Sequence, residues 1–113
     1  MSRRASGLKA WVVQRATAIY LALFGVYLLL KLVFDAPGDY AALVEWVRSP
    51  WVALGLLVLI PVALAHAWVG IRDLFMDYVK SIGLRVTLMT VTAFVFVASG
   101  LWAMQAIIVA QIA

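Results

Sequence analysis

The single histidine of this 113-residue chain, His66, lies inside a long uncharged apolar run, and eleven residues further on an acid and a phenol stand side by side, Asp77 and Tyr78. An ionisable side chain within such a run costs on the order of a few kcal/mol, so His66 must face protein, water or a bound group. An imidazole there can ligate a metal, relay a proton, or hydrogen-bond to another helix. On a helix, His66, Gly70, Asp73 and Asp77 fall at i, i+4, i+7 and i+11, which is one face, and Ala63 extends it. The imidazole is thus flanked by a methyl on one side and a hydrogen on the other. That clearance suits a flat macrocycle coordinated by His66; it suits close helix packing around a hydrogen-bonded histidine equally well.

A six-coordinate haem iron takes two axial ligands, commonly His with His or Met. The chain has one His and no Cys, and Met76, Met89 and Met104 have no evident facing geometry. If His66 ligates haem, the second ligand is expected from another polypeptide. The absence of cysteine also rules out disulfides, thiolate metal sites and covalent haem attachment. Asp77 and Tyr78 at a membrane interface could hydrogen-bond a quinone carbonyl and help deliver protons. Read as packing alone, Tyr78 is an interfacial anchor and Asp77 pairs with Lys80 or Arg72. Arg15 could neutralise a buried anion such as a haem propionate, or serve only as a basic flank.

The elements that must position these residues are membrane helices. Hydrophobic residues make up 67% of the chain and charged ones 12%, with a mean hydropathy of +1.09. That is too few charges to coat a soluble surface. The expected fold is all-α: one domain over residues 1–113, an integral membrane bundle of three transmembrane helices at about 16–34, 51–72 and 85–110. The first run, Ala16–Phe34, is apolar apart from Lys31. Its length is close to the roughly 20 residues that span a bilayer. Residues 35–48 read as a loop with a short amphipathic helix around Tyr40–Val47. Pro61 is expected to kink the second helix. Residues 72–83 read as a charged connection, and residues 86–113 are uncharged throughout.

The net charge of +4 does not indicate nucleic acid, because the basic residues flank apolar runs. Arg3, Arg4, Lys9 and Arg15, with Arg72, Lys80 and Arg85, fall on one side of the membrane, and Lys31 and Arg48 on the other. Seven against two places the N-terminus in the cytoplasm and the C-terminus in the periplasm. The basic N-terminus resembles the start of a signal peptide, but the apolar run is too long and shows no small-residue cleavage site, so retention is expected. Arg15, Ala18, Ala22 and Gly25, and Ser99, Ala103, Ala106 and Ala110, form small-residue stripes suited to helix packing.

The order Arg15-Ala16-Thr17-Ala18-Ile19, His66-Ala67-Trp68-Val69-Gly70 and Asp77-Tyr78-Val79-Lys80 resembles the hydrophobic membrane anchor subunit of bacterial succinate dehydrogenase, across all three helices. The resemblance implies a bacterial inner-membrane protein that pairs with a cytochrome b subunit and, together with it, anchors an iron–sulfur subunit and a flavoprotein subunit. It implies that His66 is one axial ligand of haem b, that the partner gives the other, and that Arg15 lies near the propionates. Tyr78, with Asp77 nearby, would contact ubiquinone. Electrons from succinate would reach the quinone pool, serving the tricarboxylic acid cycle and the respiratory chain, with this chain non-catalytic by itself. Gly70-Ile71-Arg72 is also similar to the sibling cytochrome b subunit's His-x-x-x-Gly-x-Arg. That sibling usually carries prolines before its first helix, and residues 1–15 have none. The alternatives are that sibling, a fumarate reductase anchor, or a cofactor-free membrane scaffold. A transporter is disfavoured because no acidic residue lies within a predicted span.

Overall fold

A computed structural model describes residues 3–113, with side chains from Gly7 onward, so the side chains of Arg3 and Arg4 lie outside the described ones. It is all-helical: α1 Arg3–Phe34, α2 Tyr40–Arg48, α3 Pro50–Tyr78 and α4 Ile82–Ile112. Three stretches are long and apolar enough to cross a membrane, Gly7–Phe34, Pro50–Tyr78 and Ile82–Ile112.

The helices extend past their expected ends. α1 begins at Arg3 instead of Ala16, because Arg, Lys and Ala are good helix formers and no proline interrupts residues 3–15. α3 starts on Pro50, whose fixed φ suits a first helical position, and it runs unbroken through Pro61. It then continues past Arg72 and Asp73 to Tyr78, so the charged segment expected to connect two helices is mostly helix. Only Val79, Lys80 and Ser81 separate α3 from α4. Ser81 caps α4 by accepting from the Leu84 N–H at 3.3 Å, as serine commonly does at a helix start. The short amphipathic helix is present as α2, capped by Asp39, which accepts from the Ala42 N–H at 2.8 Å in the same manner.

α3 is the middle helix. Both α1 and α4 pack on it, α2 packs on α3 and α4, and among the described residues α1 and α4 do not meet. Two glycines mediate the approach. A Cβ at Gly55 would overlap the Phe24 ring of α1, and one at Gly100 would lie 2.6 Å from Leu64 Cδ1 of α3. Only the first half of the small-residue stripe of α1 faces α3: Arg15 and Ala18 line a space shared with it, whereas Ala22 is exposed and a Cβ at Gly25 would meet nothing within 4 Å. Val52, Ala53, Gly100 and Ile107 are the buried positions among the described side chains. Most of the remaining apolar surface therefore faces lipid or other polypeptides.

Candidate cofactor site around His66

α1 and α3 bring together residues far apart in sequence. The half-buried His66 of α3 places Nδ1 3.0 Å from Thr17 Oγ1 of α1. Thr17 Oγ1 also lies 2.6 Å from the carbonyl of Val13 and 3.2 Å from that of Gln14. The expectation of a histidine hydrogen-bonded to a neighbouring helix is met at Nδ1. That bond accounts for one ring nitrogen and leaves the other.

His66 also lines a cavity of about 530 Å³ between the two helices. Helical spacing builds it: Ala10, Gln14 and Ala18 repeat every four residues on α1, and His66, Val69 and Asp73 every three or four on α3. Arg15 and Arg72 line it as well. The Arg15 guanidinium sits 5.6 Å from the centre of the Trp11 ring, a cation–π arrangement. Arg72 approaches Asp73 at 3.7 Å. Two arginines against one aspartate leave the cavity with a cationic excess.

Among the described residues, two buried polar atoms of side chains that line this space have no partner, Arg72 Nε and Gln14 Oε1. Buried donors and acceptors are nearly always satisfied, so both mark a place for a further polar group. On the same face of α3 a Cβ at Gly70 would meet nothing within 4 Å, which preserves the clearance expected there. No group of three or more His, Cys, Asp or Glu side chains among the described residues could hold a metal ion. His66 therefore stands as a single potential ligand. It shares its cavity with the cationic side chains of Arg15 and Arg72.

Asp77 and Tyr78 are not part of this cavity. They occupy the last turn of α3, and Tyr78 is 76% exposed. Helical rise puts them roughly 16 Å along the axis from His66. Among the described residues Asp77 makes no ion pair with Lys80 or Arg72; the acid beside Arg72 is Asp73. Arg85 does more than flank a span. It donates to the Val79 carbonyl at 2.8 and 3.1 Å and to that of Met76 at 3.4 Å. These bonds close the end of α3 just behind Tyr78, as basic side chains near helix C-termini can do.

Thr17, Gln14 and Arg72 were not among the expected site residues. Thr17 carried a signal of its own: it is the one threonine in the apolar run of the first helix. Gln14 carried a weaker one, preceding Arg15 at the edge of that run.

Residues 1–102 match the family of succinate dehydrogenase/fumarate reductase transmembrane subunits. The chain belongs to this family. It is 30% identical over 110 residues to the succinate dehydrogenase hydrophobic membrane anchor subunit of Coxiella burnetii, with 97% of this chain and 94% of that one covered. Anchor subunits of Rickettsia felis and Rickettsia conorii are 31% and 32% identical, each over 76% of this chain and over 72% and 69% of their own. The resemblance to the anchor subunit stands. A succinate dehydrogenase membrane anchor subunit with three apolar helices fits a multi-pass inner-membrane protein that works with partner subunits of its complex.

Proposed function

We propose that this chain supplies half of a b-type haem site and part of a ubiquinone site in succinate dehydrogenase. The reading is carried by one observation: His66, Arg15 and Arg72 line the same cavity, with Arg72 Nε still unpaired. Haem, when bound, supplies a one-electron carrier. His66 would hold the iron on one side, and Arg15 and Arg72 would balance the two propionates. Gly70 leaves room for the ring edge. The chain has one His and no Cys, so a second protein ligand would come from the partner cytochrome b subunit.

Tyr78 would donate its O–H to a quinone carbonyl, and Asp77 would pass on a proton during reduction. Their exposure at the end of α3 suits a mobile substrate entering from the bilayer edge. The seven-to-two distribution of basic residues supports a cytoplasmic N-terminus and a periplasmic C-terminus. The iron–sulfur and flavoprotein subunits would then dock on the side bearing Tyr78 and deliver electrons from succinate to that end.

The test is a reduced-minus-oxidised difference spectrum of the complex co-purified through a tag on this chain, wild type against His66→Ala. Wild type is expected to show a stoichiometric b-haem band, and the variant to lose it or change its spin state. An unchanged band in the variant would remove His66 as ligand.

A further inference from the structure

We propose that Thr17 is a positioning residue that fixes the tautomer and ring orientation of His66, so that Nε2 is the nitrogen left to ligate. The inference rests on the reading of His66 as a haem ligand and adds to it a residue of the other helix.

The argument is a count of hydrogens. A threonine hydroxyl has one hydrogen and two lone pairs. Three groups approach Thr17 Oγ1: the Val13 carbonyl at 2.6 Å, the Gln14 carbonyl at 3.2 Å and His66 Nδ1 at 3.0 Å. The carbonyls can only accept, and a threonine inside an apolar helix commonly donates to the carbonyl four residues back. The shortest contact is that one. With its hydrogen on Val13, Thr17 can meet the imidazole only as an acceptor, so Nδ1 carries the proton and donates. A neutral imidazole then has its lone pair on Nε2. Among the described residues Nε2 has no hydrogen-bond partner.

The same bond sets orientation. Turning the ring over would present a carbon to the hydroxyl and leave Thr17 with an unused lone pair and Nδ1 without its acceptor, in a part of the molecule with little water. A ligating histidine whose second nitrogen donates to an oxygen is held in register and becomes more electron-rich. The chain from the Val13 carbonyl through Thr17 to His66 thus couples the backbone of α1 to the ligand strength of a residue on α3. The bond also ties the ligand to the helix that carries Arg15.

The experiment uses the complex purified through a tag on this chain, with Thr17→Val, Thr17→Ala, Thr17→Ser and His66→Ala beside wild type. Haem retention during dilution and the haem midpoint potential are read. Loss of an outer-sphere partner of this type weakens metal binding by roughly 10- to 100-fold, the expected loss for Thr17→Val. The potential is expected to shift positive, since a less electron-rich imidazole favours ferric iron less. Thr17→Ser, which keeps the hydroxyl, should restore both. Should the valine variant fail to assemble, Thr17→Ala carries the same comparison, because alanine is the best helix former. Wild-type retention and potential in the valine or alanine variant, with haem lost in His66→Ala, would overturn the positioning role and leave the ligand reading standing. Unchanged haem in His66→Ala would overturn both.

Discussion

The Tyr20 hydroxyl of α1 donates to the Gly55 carbonyl of α3 at 2.7 Å, and the same glycine receives the Phe24 ring where a side chain would otherwise be. Phe24 is itself held between two rings, stacked on Tyr20 at 5.8 Å and tilted against Tyr27 at 5.6 Å. A residue with a Cβ at position 55 must therefore displace a ring that has little freedom to move. Gly55→Ala is expected to destabilise the α1–α3 contact by about 1–3 kcal/mol, as overpacking generally does. Tyr20→Phe should cost less, about 0.6–2 kcal/mol for one hydrogen bond in lipid. Thermal unfolding of the purified complex checks both, and a Gly55→Ala protein as stable as wild type would contradict the close approach.

Arg72 lines the cavity beside His66, and its Nε is buried with no hydrogen-bond partner among the described residues. If an anionic group binds there, Arg72→Gln should weaken its retention about tenfold or more, the effect of one charge-assisted hydrogen bond. Arg48→Gln, at the far end of the molecule, should leave retention unchanged. Haem content of the two variants after identical purification decides it.

Arg85 makes its bonds to the Val79 and Met76 carbonyls through a planar fork that a lysine cannot reproduce. Arg85→Lys keeps the positive charge of the α3–α4 link but loses this closure. Trypsin cleavage after Lys80 should then accelerate in the detergent-solubilised complex. An unchanged cleavage rate would mean that Arg85 acts through charge alone.

Lys31 donates to Asp35 at 2.8 Å, and that hydrogen bond, followed by the lysine's charge, holds the Asp35 carboxyl below its ordinary value of 3.8. A carboxyl whose folded-state value is lowered adds stability above its ordinary value and loses it as pH falls through the lowered one. The pair is fully exposed at Asp35, so its contribution is small. Unfolding of Asp35→Asn and wild type should differ slightly at neutral pH and converge in acid. A gap that persists in acid would point to a role other than this ion pair.

Much of this was readable from residue order. Long apolar runs located three spans, and the amphipathic stretch around Tyr40–Val47 located α2. The helix ends were not readable, because Arg3–Arg15 and Arg72–Tyr78 are charged yet form helix well, and hydropathy marks where lipid stops instead of where a helix does. His66 was legible from its isolation. Thr17 as its partner was not: 49 residues separate them, and only the packing of α1 on α3 sets them opposite each other. The same holds for Gly55 and Gly100, whose closeness to Phe24 and Leu64 depends on which faces meet. Ala22 and Gly25 have the right composition for packing, but beside them the bulky face carrying Tyr20 and Phe24 makes the contact instead.

A link of only Val79, Lys80 and Ser81 joins α3 to α4, whereas α1 reaches α3 through the longer excursion that contains α2, and among the described residues α1 does not pack on α4. A tight helical hairpin closes with little loss of chain freedom, while a distant helix must find its seat by diffusion within the bilayer. The space beside His66 is walled by α1 and α3 together, so it does not exist until those two helices have met. Formation of that space is thereby tied to the docking of α1, a helix synthesised before the seat it must find.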